Sequence, residues 1–86
     1  MPIVSRFFGI VILMFWQDHM PPHFHATYGE DEALIDIHHA VVLRGRLASS
    51  RLKLVLAWAE IHREELLANW ERAQHHEKLL PIDPLR

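Results

Sequence analysis

From Ile10 to Trp16 the chain is a β-branched and aromatic run of strand length. Met20-Pro21-Pro22 closes it, because proline lacks a backbone donor and drives the residue before it towards extended geometry. Alternation follows over His23 to Tyr28. Phe24, Ala26 and Tyr28 share one face of a strand, and His23, His25 and Thr27 share the other. Asp31 to Ile37 alternates again, with Ala33, Ile35 and Ile37 opposite Glu32, Leu34 and Asp36. A turn at His38-His39-Ala40 and a short strand over Val41 to Leu43 are expected next. The period then changes. From Ser49 to His75 there is no glycine or proline, either Ser49 or Ser50 can cap the start, and the spacing predicts a helix. Leu52, Val55, Leu56, Ala59, His62, Leu66, Leu67, Trp70 and Ala73 form its apolar stripe, with Leu54, Trp58 and Ile61 off it.

The pairing of the central strands follows from the pattern. Directly opposed residues of an antiparallel pair point to the same face, so matched apolar faces set Phe24 against Ile35 and Ala26 against Ala33. That register closes through Gly29-Glu30, a two-residue loop with glycine first, which suits a type II′ turn. It places His23 opposite Asp36, His25 opposite Leu34 and Thr27 opposite Glu32.

The fold expected is α+β. A small antiparallel meander of three to four strands precedes one long C-terminal helix with room to kink near Ile61 and His62. Eighty-six residues make a single domain over 1–86: a β-rich half at 1–46, a helical half at 47–76 and an extended, loosely attached tail at 77–86. Half the residues are hydrophobic, enough for a core. Cysteine is absent, which removes disulfides, thiolate metal sites and cysteine nucleophiles together. The apolar run from Gly9 to Trp16 is too short to span a bilayer, and a polar segment follows it without a small-residue cleavage site. A cytoplasmic protein with no membrane partner is expected. The net charge of −2 disfavours a general nucleic-acid binder. The eight histidines complicate that, because an unperturbed imidazole gains charge at a pH of roughly 6.5.

Candidate chemistry concentrates between Asp18 and His25. His23 and His25, two apart on a strand, project to one side, and Asp36 faces them in the derived register. Two imidazoles and a carboxylate are the set with which non-haem iron, zinc or manganese sites are built. One divalent transition metal (Zn, Ni, Mn or Fe) is therefore the candidate cofactor, with Asp18 and His19 in the entering loop as secondary ligands. Alternatively Asp36 orients His23 for acid–base work, or the segment is a solvated sheet face beside a proline turn. The spacing matches no diagnostic ligand motif. His38-His39 and His75-His76 are neighbours whose side chains diverge, and His62 reads as a hydrogen-bonded boundary residue.

A second cluster, Arg44, Arg46, Arg51 and Lys53, lies in a window without acids and leads into the helix N-terminus. Positive charge there opposes the macrodipole, an arrangement that an anion or a nucleic-acid phosphate would relieve; a solvated loop is the plainer reading. Leu13 and Phe15 on the outer side of the first strand, with Trp58 and Ile61 off the helical stripe, suggest a protein partner or a homo-oligomer.

Three stretches resemble a bacterial family, domain of unknown function family 4160. They are Pro2 to Ile12, the run Asp18-His19-Met20-Pro21-Pro22-His23-Phe24-His25-Ala26, and Trp58 to Leu66. The resemblance covers nearly the whole chain but implies no established activity. Genes of this family often lie beside another small uncharacterised one. The resemblance therefore implies a two-gene, toxin–antitoxin-like or regulatory module; joined to the strand phasing, the expectation is a partner-binding component of such a module with a histidine-rich site on the sheet face. The rival expectation is a metal-dependent or His-catalysed hydrolase, acting on RNA through the Arg44 to Lys53 patch.

Overall fold

A computed structural model describes residues 2–86. Among these residues five strands form one antiparallel sheet in chain order: β1 (Ile3–Phe7), β2 (Ile10–Leu13), β3 (His23–Tyr28), β4 (Asp31–Asp36) and β5 (Val42–Gly45). The meander is therefore longer than the three or four strands expected. The addition is β1, which pairs with β2 across Phe8-Gly9, both at positive φ. A two-residue hairpin of this kind usually announces itself by Asn-Gly or Asp-Gly. Phenylalanine in the left-handed region is uncommon, so the turn carried no signal.

The β3–β4 hairpin has the derived register, with His23 opposite Asp36, Phe24 opposite Ile35 and Thr27 opposite Glu32. Gly29 takes φ +59° while Glu30 does not enter the left-handed region, as a type II′ turn requires. Between β4 and β5 one residue is extra: Ile35 pairs with Val42 but Leu34 pairs with Arg44, so Leu43 bulges. Gly45 fixes the end of β5. Its φ is +79°, and a Cβ there would lie 2.0 Å from the Glu32 carbonyl oxygen.

The helical half consists of two helices rather than one, α1 (Ser49–Ile61) and α2 (Arg63–Gln74). The break falls at His62, whose φ of −107° and ψ of 24° leave helical geometry while its ring packs on Trp58. Glu64 and Glu65 occupy the first turn of α2, where the macrodipole favours acids. Neither Ser49 nor Ser50 caps α1; Ala48 holds the N-cap position without a side-chain bond. Among the described residues no helix is long and apolar enough to cross a membrane.

One face of the sheet meets the helices. Ile10, Ile12, Met14, Phe24, Ala26, Ala33, Ile35 and Ile37 are buried there with Val55, Ala59, Leu66 and Trp70. Trp58 lies at the centre of this layer with 0% exposure, against Phe7 and Phe24. It therefore offers nothing to a partner, contrary to its assignment from the helical stripe. Its indole N–H donates to the Asp83 carbonyl at 2.8 Å, a partner supplied by the tail. That tail is not loose. Ile82 is buried and donates its N–H to Val4, and the buried Asn69 side chain exchanges two hydrogen bonds with the Leu80 backbone. His23, His25 and Leu34 lie on the opposite face of the sheet, where Trp70 of α2 reaches the His23 ring at the start of β3.

Candidate metal centre

The loop from Met14 to Pro22 decides the site. It is held against the end of α2: Gln17 N–H donates to the Ala73 carbonyl, the Trp16 indole to Glu77, and the Gln74 amide to the Asp18 carbonyl. Pinned in this way, the loop brings Asp18 over β3. One carboxylate oxygen, Oδ2, lies 3.0 Å from His23 Nε2 and 3.2 Å from His25 Nε2. Among the described residues, Asp18, His23 and His25 form a group whose ligand atoms lie within 4.8 Å of one another, compatible with a metal ion.

The outward ring nitrogens are also engaged. His23 Nδ1 lies 2.8 Å from the Pro21 carbonyl oxygen, and His25 Nδ1 lies 3.0 Å from Glu32 Oε2. Four rings in a row hold the imidazoles in place. Trp70 packs on His23 at 5.3 Å between centroids, His23 on His25 at 5.3 Å, and Phe15 edge-on against His25 at 4.7 Å. Locked rings of this kind are what a ligand set needs to be pre-organised. Burial pushes the Asp18 carboxyl up. Hydrogen bonds from His25 and the His19 N–H, together with the two nearby imidazoles, outweigh it and hold the group below its ordinary value.

Asp36, expected as the carboxylate of the set, stands opposite His23 in the ladder but is not part of this group. Its Oδ1 accepts the His39 N–H at 2.9 Å and faces His39 Nδ1 at 3.4 Å, tying the turn between β4 and β5. A short carboxylate beside a turn reaches a local N–H before a cross-strand ring. Burial raises its affinity for a proton, but the His39 N–H and side chain and the His38 N–H outweigh that and keep it low. His19 borders the site without joining the three atoms; its N–H donates to Asp18 Oδ1. Glu32 and Trp70 were not among the expected site residues. Glu32 had a signal: it sits diagonally from His25 on the same face, within reach of a long side chain.

A cleft of about 250 Å³ opens beside the cluster, lined by Asp18, His19, Met20, Pro21, His23, Leu34, Leu43 and Arg44. Of the four cations singled out in the sequence, Arg44 alone lines it. Arg51 instead lies over the Tyr28 ring, 3.7 Å from its centroid, while Arg46 and Lys53 are exposed. Of the apolar positions assigned to a partner, Leu13 is half-buried beside His25, and Phe15 and Ile61 are exposed. The remaining histidines lie elsewhere: His62 contacts the Glu65 carboxylate, and the His75 ring N–H donates to the Glu71 carbonyl.

Fold and site together define a small α+β domain, a five-stranded meander backed by two helices, with a histidine–aspartate cluster on the other side of its third strand. The chain belongs to the family described as Domain of unknown function (DUF4160), whose model matches residues 9–71. That span includes the whole cluster and the Trp70 that supports it. No curated protein and no solved structure matches the chain.

Proposed function

We propose that the chain is a metal-binding domain in which Asp18 Oδ2, His23 Nε2 and His25 Nε2 hold one divalent transition metal ion. The observation that carries this reading is the surroundings of the four ring nitrogens. Every one of them faces an oxygen that can only accept: Pro21 and Asp18 for His23, Glu32 and Asp18 for His25. A neutral imidazole has one N–H to give. With both rings neutral, two nitrogen lone pairs point at oxygen lone pairs at about 3 Å, and each such contact is repulsive. A cation among the three inward atoms removes that conflict. The outward Nδ1–H groups then donate to a backbone carbonyl and a carboxylate, the partners that metal-bound histidines commonly have.

Two nitrogens and one carboxylate oxygen suit zinc, iron, nickel or manganese. Three protein ligands leave coordination positions open, the arrangement of working rather than purely structural sites. An ion held there supplies Lewis acidity. Metal-dependent chemistry at the cleft is thus better supported than acid–base work by a His23–Asp36 pair, since Asp36 is engaged with His39. Zinc titration by calorimetry, with circular dichroism as the check on folding, tests the reading. One ion per chain is expected, and none in the His23→Ala, His25→Ala double variant. A wild-type protein that takes up no zinc, iron, nickel or manganese overturns it.

Membership of a two-gene module is the second reading. It draws on the family resemblance and on the exposed side chains of Phe8, Phe15 and Ile61, with β5 as an open sheet edge carrying exposed Val42 and Leu43. Co-purification with the product of the adjacent gene is the test. A protein that elutes alone and monomeric from cells expressing both genes contradicts it.

A further inference from the structure

The cleft beside the cluster has a defined composition. Met20, Pro21, Leu34 and Leu43 give it apolar walls, His23 and Asp18 border one side, and Arg44 supplies its one guanidinium. Arg44 belongs to the same cross-strand row as His25, through Leu34, so it stands two strands away on the same face. At the usual strand spacing this is roughly 10 Å between backbones, a gap that an arginine side chain largely closes. The bulge at Leu43 sets this placement: with one residue extra in β5, both Leu43 and Arg44 line the cleft beside Leu34. Among the described residues, no carboxylate or hydrogen bond occupies the guanidinium of Arg44, as holds also for Arg6, Arg46 and Arg86; of these four, Arg44 is the one that lines the cleft.

We propose that this cleft binds a small organic anion, its carboxylate or phosphate head gripped by Arg44 and its apolar body lying along Met20, Pro21, Leu34 and Leu43. The proposal deepens the metal reading and rests on it only for a second anchor on the head group, at the open side of the ion. A planar guanidinium grips either head in a two-pronged, charge-assisted fashion, which sets both orientation and affinity. Size restricts the body. About 250 Å³ falls below the roughly 300–1,000 Å³ of clefts that take drug-sized ligands, so a body of about one ring fits. Charge argues against a nucleic-acid strand. A run of phosphates needs several cations along its path, and here one arginine faces a site that already holds Asp18.

Benzoate and phenyl phosphate distinguish the two head groups, and benzyl alcohol serves as the uncharged control. Each is titrated calorimetrically into zinc-loaded and zinc-free protein, as wild type and as Arg44→Ala and Arg44→Lys. Arg44 is exposed, so neither substitution endangers the fold. At least one anion is expected to bind wild type one to one, and benzyl alcohol at least about tenfold more weakly. Arg44→Ala should lose about ten- to a hundredfold in anion affinity, the range for losing a charged hydrogen bond, with Arg44→Lys between. Zinc affinity should stay within about twofold. Anion binding that is absent from wild type, or equal in Arg44→Ala, overturns the proposal and leaves the metal reading standing. Failure to take up zinc, with Arg44-dependent anion binding still seen in zinc-free protein, overturns the metal reading and upholds the cleft.

Discussion

Removal of Glu32 probes the metal site from outside its ligands. Its Oε2 lies 3.0 Å from His25 Nδ1, on the side of the ring away from Asp18. Accepting the Nδ1–H there fixes the tautomer whose Nε2 lone pair faces the ion and makes the ring a better donor. Loss of such an outer partner lowers metal affinity by roughly 10–100-fold. The Glu32 side chain is 49% exposed, so solvent screens its charge and the lower end applies. Glu32→Ala should therefore weaken zinc binding by about tenfold, which is about 1.4 kcal/mol. Glu32→Gln, which keeps a carbonyl acceptor, should fall between that variant and wild type. Competition against a chromophoric chelator at neutral pH reads the affinity, with thermal melting of the metal-free forms to show that folding is intact. Affinity within twofold of wild type for Glu32→Ala would refute the reasoning, because His25 would then not depend on donating its Nδ1–H to Glu32 to present Nε2.

Three further outcomes are expected. Asp36→Ala should leave zinc affinity unchanged and instead cost about 1 kcal/mol in urea-unfolding stability, because it removes the acceptor of the His39 N–H; a tenfold fall in affinity would return Asp36 to the site. The Asp18 carboxyl titrates lower in the folded than in the unfolded chain, so the unfolded state binds more protons in that window. Its contribution is then fully present above the ordinary aspartate value and lost as pH falls through the lower folded one. Between about pH 5 and about pH 3, metal-free wild type should lose more stability than Asp18→Asn. Asp36 adds a slope of the same sign in both, and identical slopes would remove Asp18 as a cause. Ile82→Ala should cost about 2 kcal/mol or more, as buried isoleucines do, whereas a loosely attached tail predicts under about 0.5 kcal/mol.

The central hairpin was legible because alternation leaves one register that buries Phe24 and Ala26 with Ile35 and Ala33, and Gly29 closes it. His23 and His25 followed from the same phase, since residues two apart on β3 must share a face. The third member was legible only as a secondary candidate, ranked behind Asp36. Asp18 reaches the rings only because Gln17, Trp16 and Gln74 anchor its loop to the far end of the chain, contacts spanning more than fifty residues. Asp36 satisfied the ladder and failed the chemistry, because pairing places Cα atoms and says nothing about which N–H a short carboxylate will meet first. Trp58 fell outside the periodic stripe for a similar reason. Periodicity averages over a helix, while the space between Phe7 and Phe24, and the Asp83 carbonyl that receives the indole N–H, belong to the tertiary fold.

Anomalous diffraction from crystals soaked in zinc tests the central claim most directly. The account predicts one strong peak between β3 and the Asp18 loop, about 2.0–2.2 Å from Asp18 Oδ2, His23 Nε2 and His25 Nε2, with Asp36 still bound to His39. A peak at His38-His39 or His75-His76, or none near these three atoms, would contradict it.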